Sequence, residues 1–215
     1  HIPVQTALLH DDGKPMLARL ASDGDITHQH LLELTETQQD FVFSEVTSEP
    51  IPSLLRGFSA PVILDYPLDA SALSLLMFHD SDPYCRWDAG QRLARLEILG
   101  TLNVLATSGE PMVSESFLRA FSQVLDLESE DLAFQALTLT PPEEAYLAED
   151  LAVIDPVLLH RARAATEHAL AQHLEKQLTT KYHSLTTTAP YGRDSHSAGN
   201  RALRNVCLTY LMKLE

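Results

Sequence analysis

The sequence predicts an α+β chain whose two classes of structure are segregated: a partial β-sandwich over residues 1–67, then an all-α, superhelical or solenoid-like unit over residues 68–215. Three observations predict it. Up to Tyr66, apolar residues come in short alternating runs separated by turn residues, the period of half-buried strands. From Asp69 onward, apolar residues recur at three- and four-residue spacing, the period of helices packed along one face. Between the two patterns lies no flexible Gly/Ser linker, so the β part and the helical part are expected to be tightly coupled.

The β elements follow in order. Ile2 to Leu9 alternates as a strand, and Asp11-Asp12-Gly13 is a turn leading to a short strand around Met16 to Leu20. Asp23-Gly24-Asp25 marks a second turn. His30 to Glu36 and Asp40 to Val46 alternate again, and Leu54 to Phe58 and Val62 to Tyr66 complete the set. Pro50, Pro52 and Pro61 each lack an amide donor, which places them at strand starts, edges or bulges. Several short strands with turns between them point to a sandwich whose first strands precede His1.

The helical part opens with Leu73, Leu76 and Met77 on one face. Asp82-Pro83 is a strong start signal, because Asp accepts from the first free amides and Pro tolerates the first helical position. That helix is expected to reach about Ala106, with Trp87, Ala94, Ile98, Leu102 and Leu105 on one stripe and Leu93, Leu96 and Leu99 widening it. Ser114 starts a helix carrying Phe117, Leu118, Phe121 and Leu125, and Leu132, Ala136 and Leu137 mark a shorter one. Pro141-Pro142 precedes a turn or two through Leu147. Asp155-Pro156 repeats the start signal for a helix to about His183, with Leu159, Ala162, Ala169, Leu170, Leu174 and Leu178 inward. Thr186 to Gly199 reads as a polar loop, and Leu203, Val206, Cys207, Tyr210 and Leu214 as the last helix. No fixed-period repeat is visible in the letters.

Composition excludes several classes of function. With 45% hydrophobic and 21% charged residues over 215 positions, the chain can bury a core. Its net charge of −15 opposes binding to nucleic acid or an anionic membrane surface, which draws on a surplus of Lys and Arg. No apolar run approaches the roughly 20 residues that span a bilayer. Cys85 and Cys207 lie on apolar sides of helices, with no C-x-x-C spacing, so both are expected to be buried thiols and the location cytoplasmic.

Catalytic and metal-binding patterns are weak. His28 and His30 share a face if both lie in a strand, yet no third ligand accompanies them, and a solvated face is expected. His160, Glu167, His168 and His173 lie on one helix without the His-Glu-x-x-His spacing, and a solvated helix face is expected there too. Ser71, Ser74 and Ser81 are near His79 and Asp80 only in sequence, and Glu128, Glu130 and Asp131 fall at helix starts, where dipole compensation accounts for them. No nucleophile elbow or phosphate-cradling glycine motif occurs. The chain is expected to hold no catalytic, cofactor-binding or metal-binding residues.

Two blocks carry a family likeness. EPIPSLLRGFSAPVILDY (Glu49 to Tyr66) and HDSDPYCRWDAGQRL (His79 to Leu93) resemble the bacterial aminopeptidase N group of zinc metallo-aminopeptidases. Weaker agreement runs through Ile154-Asp155-Pro156 and from Arg201 to Leu208. The resemblance implies a fragment covering the later strands of the family's small β-sandwich and the first part of its helical domain. The family's zinc ligands, catalytic glutamate and Gly-x-Met-Glu-Asn motif lie in a catalytic domain with no counterpart here. It further implies a parent enzyme that releases N-terminal amino acids from peptides with zinc-bound water, and an intramolecular partner in the parent's own catalytic domain. No zinc is expected in this segment, whose role is to couple the sandwich to the helices enclosing the active site. The competing readings are a freestanding helical peptide- or protein-binding module and an independent His/carboxylate hydrolase. At the junction, Trp87 is expected to pack between sandwich and helices, and Arg56 or Arg92 to pair with a carboxylate.

Overall fold

The computed structural model describes residues 1–215 apart from Asp23, Ala189 and Glu215. The expected turn at Asp23-Gly24-Asp25 thus lies partly outside the described residues. The architecture is α+β with segregated parts, a pair of small antiparallel sheets followed by helices. The chain divides into two compact units, residues 1–89 and 90–215.

In the first unit, strand β1 (Ile2–Leu9) is the centre of one sheet, flanked by β4 (His30–Leu34) and β6 (Ile51–Leu54). Its first half pairs with β4, Thr6 opposite His30, and its second half with β6, Leu9 opposite Ile51. The second sheet has β2 (Ala18–Leu20) between β3 (Ile26–Thr27) and β5 (Phe43–Ser44). Leu8 from one sheet, Ala18 from the other and Met16 between them form a dry cluster with Phe43 against it. Pro52 sits in β6, an edge strand, where its missing amide donor is harmless.

Several expected strands are shorter than the alternation predicts. The run Asp40 to Val46 yields only the two residues of β5, and His30 to Glu36 ends at Leu34. Leu54 to Phe58 is not a strand. Its backbone turns left-handed at Leu55 (φ 60°), Gly57 (φ 60°) and Phe58 (φ 52°), forming a 3-10 turn over Arg56–Phe58 that no ladder can continue. Val62 to Tyr66 likewise belongs to no strand among the described residues.

Helix α1 (Ala70–His79) follows, capped by Asp69, whose side chain accepts from Ala72 N. Leu73, Leu76 and Met77 are buried, as their spacing requires. Asp82 then caps α2 (Pro83–Ala106) by accepting from Cys85 N at 3.0 Å. On α2, Leu93, Ala94 and Ile98 are fully buried, whereas Leu96 is exposed.

In the second unit, α3 (Glu115–Asp126) is capped by Ser114 and buries Phe117, Leu118, Phe121 and Leu125. The short α4 (Leu132–Thr138) buries Gln135, Ala136 and Thr138 instead of Leu132 and Leu137, because Gln135 donates to the free carbonyls of Val124, Leu125 and Leu127 at the end of α3. After α5 (Glu144–Ala148), Asp155 accepts from Val157 N and Leu158 N to start α6 (Pro156–Ser184). Ile98, Leu147, Leu159 and Ala162 form one core cluster from α2, α5 and α6. The polar stretch expected as loop through Gly199 turns helical earlier. Asp194 accepts from Ser197 N and opens α7 (Ser195–Leu211), a capping signal hidden in a run of Ser, His and Gly. Gly199 sits where a Cβ would come within 2.9 Å of Ala133 N, so its lack of a side chain lets α7 approach α4.

Candidate functional site

The densest polar arrangement lies in the first unit, where the 3-10 turn after β6 meets the elbow between α1 and α2. The local sequence dictates its parts. The left-handed turn lifts Arg56 off the sheet, and Asp80-Ser81-Asp82 ends one helix and starts the next. Arg56 Nη1 donates to Asp80 Oδ1 at 2.7 Å and to Ser53 Oγ at 2.9 Å, and its Nη2 donates to Ser81 Oγ at 2.7 Å. Asp80 Oδ1 also accepts from Asp82 N at 2.8 Å, tightening the elbow. Asp82 serves both sides, its Oδ2 accepting from Gly57 N at 2.8 Å and its Oδ1 from Cys85 N.

The pair is dry. Arg56 keeps 6% of its side-chain surface exposed and Asp80 none, so each charge depends on the other in place of water. Asp80 Oδ2 has no hydrogen-bond partner among the described residues, so the hydrogen bonds that offset its desolvation converge on Oδ1. Beside it, the Cys85 thiol donates to Leu54 O at 3.2 Å. Burial pushes that thiol far above its ordinary value, with the Asp80 and Asp82 carboxylates adding to the shift, so it stays protonated and unreactive. Burial also lowers Arg86, and the Asp80 charge partly restores it. Chemically the arrangement can hold a turn against two helices.

The expected junction residues are therefore sorted as follows. Arg56 makes a buried pair with a carboxylate, that of Asp80. Trp87 is half-buried, not enclosed, and stands 6.0 Å from Tyr84, which in turn lies 5.1 Å from Phe58 of the turn. Ser81 joins Arg56, Ser74 donates to Ala70 O within its own helix, and no Ser-His-Asp relay forms among them.

The histidine readings need two corrections. His30 is buried in β4 with its ring 5.1 Å from Phe43, while His28 is exposed outside any strand, so the two do not present a common solvated face. Glu167 is not on a solvated face either. It is buried on α6, where Arg163 Nη2 and Lys213 Nζ each meet one of its oxygens at 2.8 Å. Its partner Lys213 lies too far along the chain for helical spacing to reveal. His160 and His168 are exposed, His160 Nδ1 against Glu144 Oε1 and His168 Nδ1 against Lys213 O, each at 2.8 Å, and His173 is exposed on the same helix. Among the described residues, no group of three or more His, Cys, Asp or Glu could hold a metal ion, so the residues present do not fit a zinc centre. Among them too, no helix is long and apolar enough to cross a membrane.

Comparison with known proteins extends these observations. Residues 1–67 match the family described as "Domain of unknown function (DUF3458) Ig-like fold", and residues 70–215 match "Domain of unknown function (DUF3458_C) ARM repeats". The chain is 35% identical over 213 residues to aminopeptidase N of Haemophilus influenzae and 34% identical over 213 residues to aminopeptidase N of Escherichia coli. Each match covers 98% of this chain but only 24% of the relative, so the chain spans about a quarter of the length of these proteins. Among solved structures, Legionella pneumophila aminopeptidase A in complex with aspartic acid superposes with a TM-score of 0.78 at 26% identity, over 99% of this chain and 24% of that one. From its Ig-like strands to its ARM-repeat helices, the chain belongs to the DUF3458/DUF3458_C family and is homologous to the corresponding quarter of bacterial aminopeptidase N.

Proposed function

We propose that this chain is a noncatalytic structural segment of a cytoplasmic, zinc-dependent aminopeptidase that releases N-terminal amino acids from peptides. The observation that carries this reading is the homology to aminopeptidase N along 98% of the chain. The segment comprises a sandwich domain, residues 1–67, and the beginning of a helical domain, residues 68–215. The reactive zinc and its general base belong to the parent's catalytic domain, which is the intramolecular partner of this segment. Peptide substrates are bound by the parent, and no catalytic or metal-binding side chain is assigned here.

The contribution of this chain's own residues is mechanical. Arg56, Asp80 and Asp82 lock the end of the sandwich to the start of α2, through the buried Arg56–Asp80 pair and the Gly57 amide donated to Asp82. A helical wall beginning from such a fixed point encloses a reaction chamber better than one hung on a flexible linker. The experiment is an assay of this polypeptide on alanine p-nitroanilide with added zinc. The expected result is no turnover and no stoichiometric, tightly held zinc; appreciable hydrolysis would overturn the assignment.

A further inference from the structure

Residues 62–66 read as a strand and are not one in this chain. Val62 and Leu64 are half-buried while Ile63 and Asp65 are exposed, the alternation of a pleated segment with one covered face. Ile63 is 99% exposed, an extreme position for a β-branched residue whose neighbours are also apolar. Val62 N donates to Ala60 O, but Ile63, Leu64 and Asp65 make no hydrogen bond among the described residues. Pro61 and Pro67 bound the run, as prolines bound strands at their ends.

Three further facts bear on what covers it. The Ig-like match extends to residue 67, so the run lies inside the β fold and not in the helical part. An immunoglobulin-type sandwich has at least seven strands, whereas six are described here, in two sheets of three. The relatives are about four times as long as this chain, so most of their length lies outside it.

We infer that Val62–Tyr66 is a β-strand of the sandwich whose ladder partner is a strand in the part of the parent aminopeptidase that this chain does not cover. The inference rests on the parent reading above. The occupant is an extended segment of alternating apolar residues, because it must satisfy a row of main-chain donors and acceptors while covering Ile63. Without that partner, Ile63 and Leu64 stand on an open apolar edge of the kind that recruits foreign strands.

Residue-resolved amide exchange on the complete aminopeptidase tests this. A strand paired along one edge bonds alternate amides, so protection on the order of 100-fold or more is expected either of Leu64 or of Ile63 and Asp65 together. Exchange near the unstructured rate at all three would overturn the inference, since a covering helix or loop does not bond a row of amides. The same preparation is assayed on alanine p-nitroanilide. Turnover without protection sinks only the strand inference, and protection without turnover sinks only the parent reading.

Discussion

Arg56 places its guanidinium almost out of reach of water in this fold. Truncating it leaves Asp80 buried with no cation hydrogen-bonded to it, the situation in which a buried pair becomes costly to break. Arg56→Met is therefore expected to lower stability by about 3–5 kcal/mol in urea melts, and a loss below about 1 kcal/mol would remove the pair from the joint. The same burial governs the thiols. Cys207 is pushed up to about 11 by burial from an ordinary 9.0, despite the nearby Lys181 charge. The folded state then binds that proton more tightly than the unfolded one. Its contribution to stability is complete below pH 9 and declines as pH rises towards 11. Native protein should accordingly react slowly with a thiol reagent at pH 8 and fast once unfolded; equal rates would show that the thiols are not buried. Burial of Cys85 and Cys207 was legible from their helical positions. Burial of Asp80 and Glu167 was not, because their partners Arg56 and Lys213 are brought to them by tertiary folding.

Capping carries the helix starts. Asp82 and Asp155, each followed by Pro, are found as caps of α2 and α6 because the signal is local: one carboxylate and the next few amides. The start of α7 escaped the same reading because Asp194 precedes a run of Ser, His and Gly broken only by Ala198, residues mostly at home in a loop. Gly199 has a reason that only packing reveals. Gly199→Ala gains helix propensity of up to about 1 kcal/mol but drives a methyl group to 2.9 Å from the α4 backbone. The crowding is expected to dominate and to cost about 1–3 kcal/mol net, read as a lowered Tm; a rise in Tm would show that α4 and α7 are not so closely packed. Strands fared worse than helices for a physical reason. Alternation states that a residue run suits a pleated surface, but a strand exists only where a second run pairs with it, and Leu54 to Phe58 instead turns left-handed to present Arg56.

At the scale of the whole molecule, the order of its parts, sandwich then helices, was readable from the change of period near residue 69, and the likeness to aminopeptidase N from two sequence blocks. Both blocks meet at the joint: Glu49 to Tyr66 supplies Arg56 and Gly57, and His79 to Leu93 supplies Asp80, Ser81, Asp82 and Cys85. These residues fix one element on another. The most direct measurement is the sequence of the gene continuous with the codon for His1. The account predicts an in-frame catalytic domain upstream carrying His-Glu-x-x-His and Gly-x-Met-Glu-Asn. An open reading frame that starts near His1, or that joins it to an unrelated domain, would contradict it.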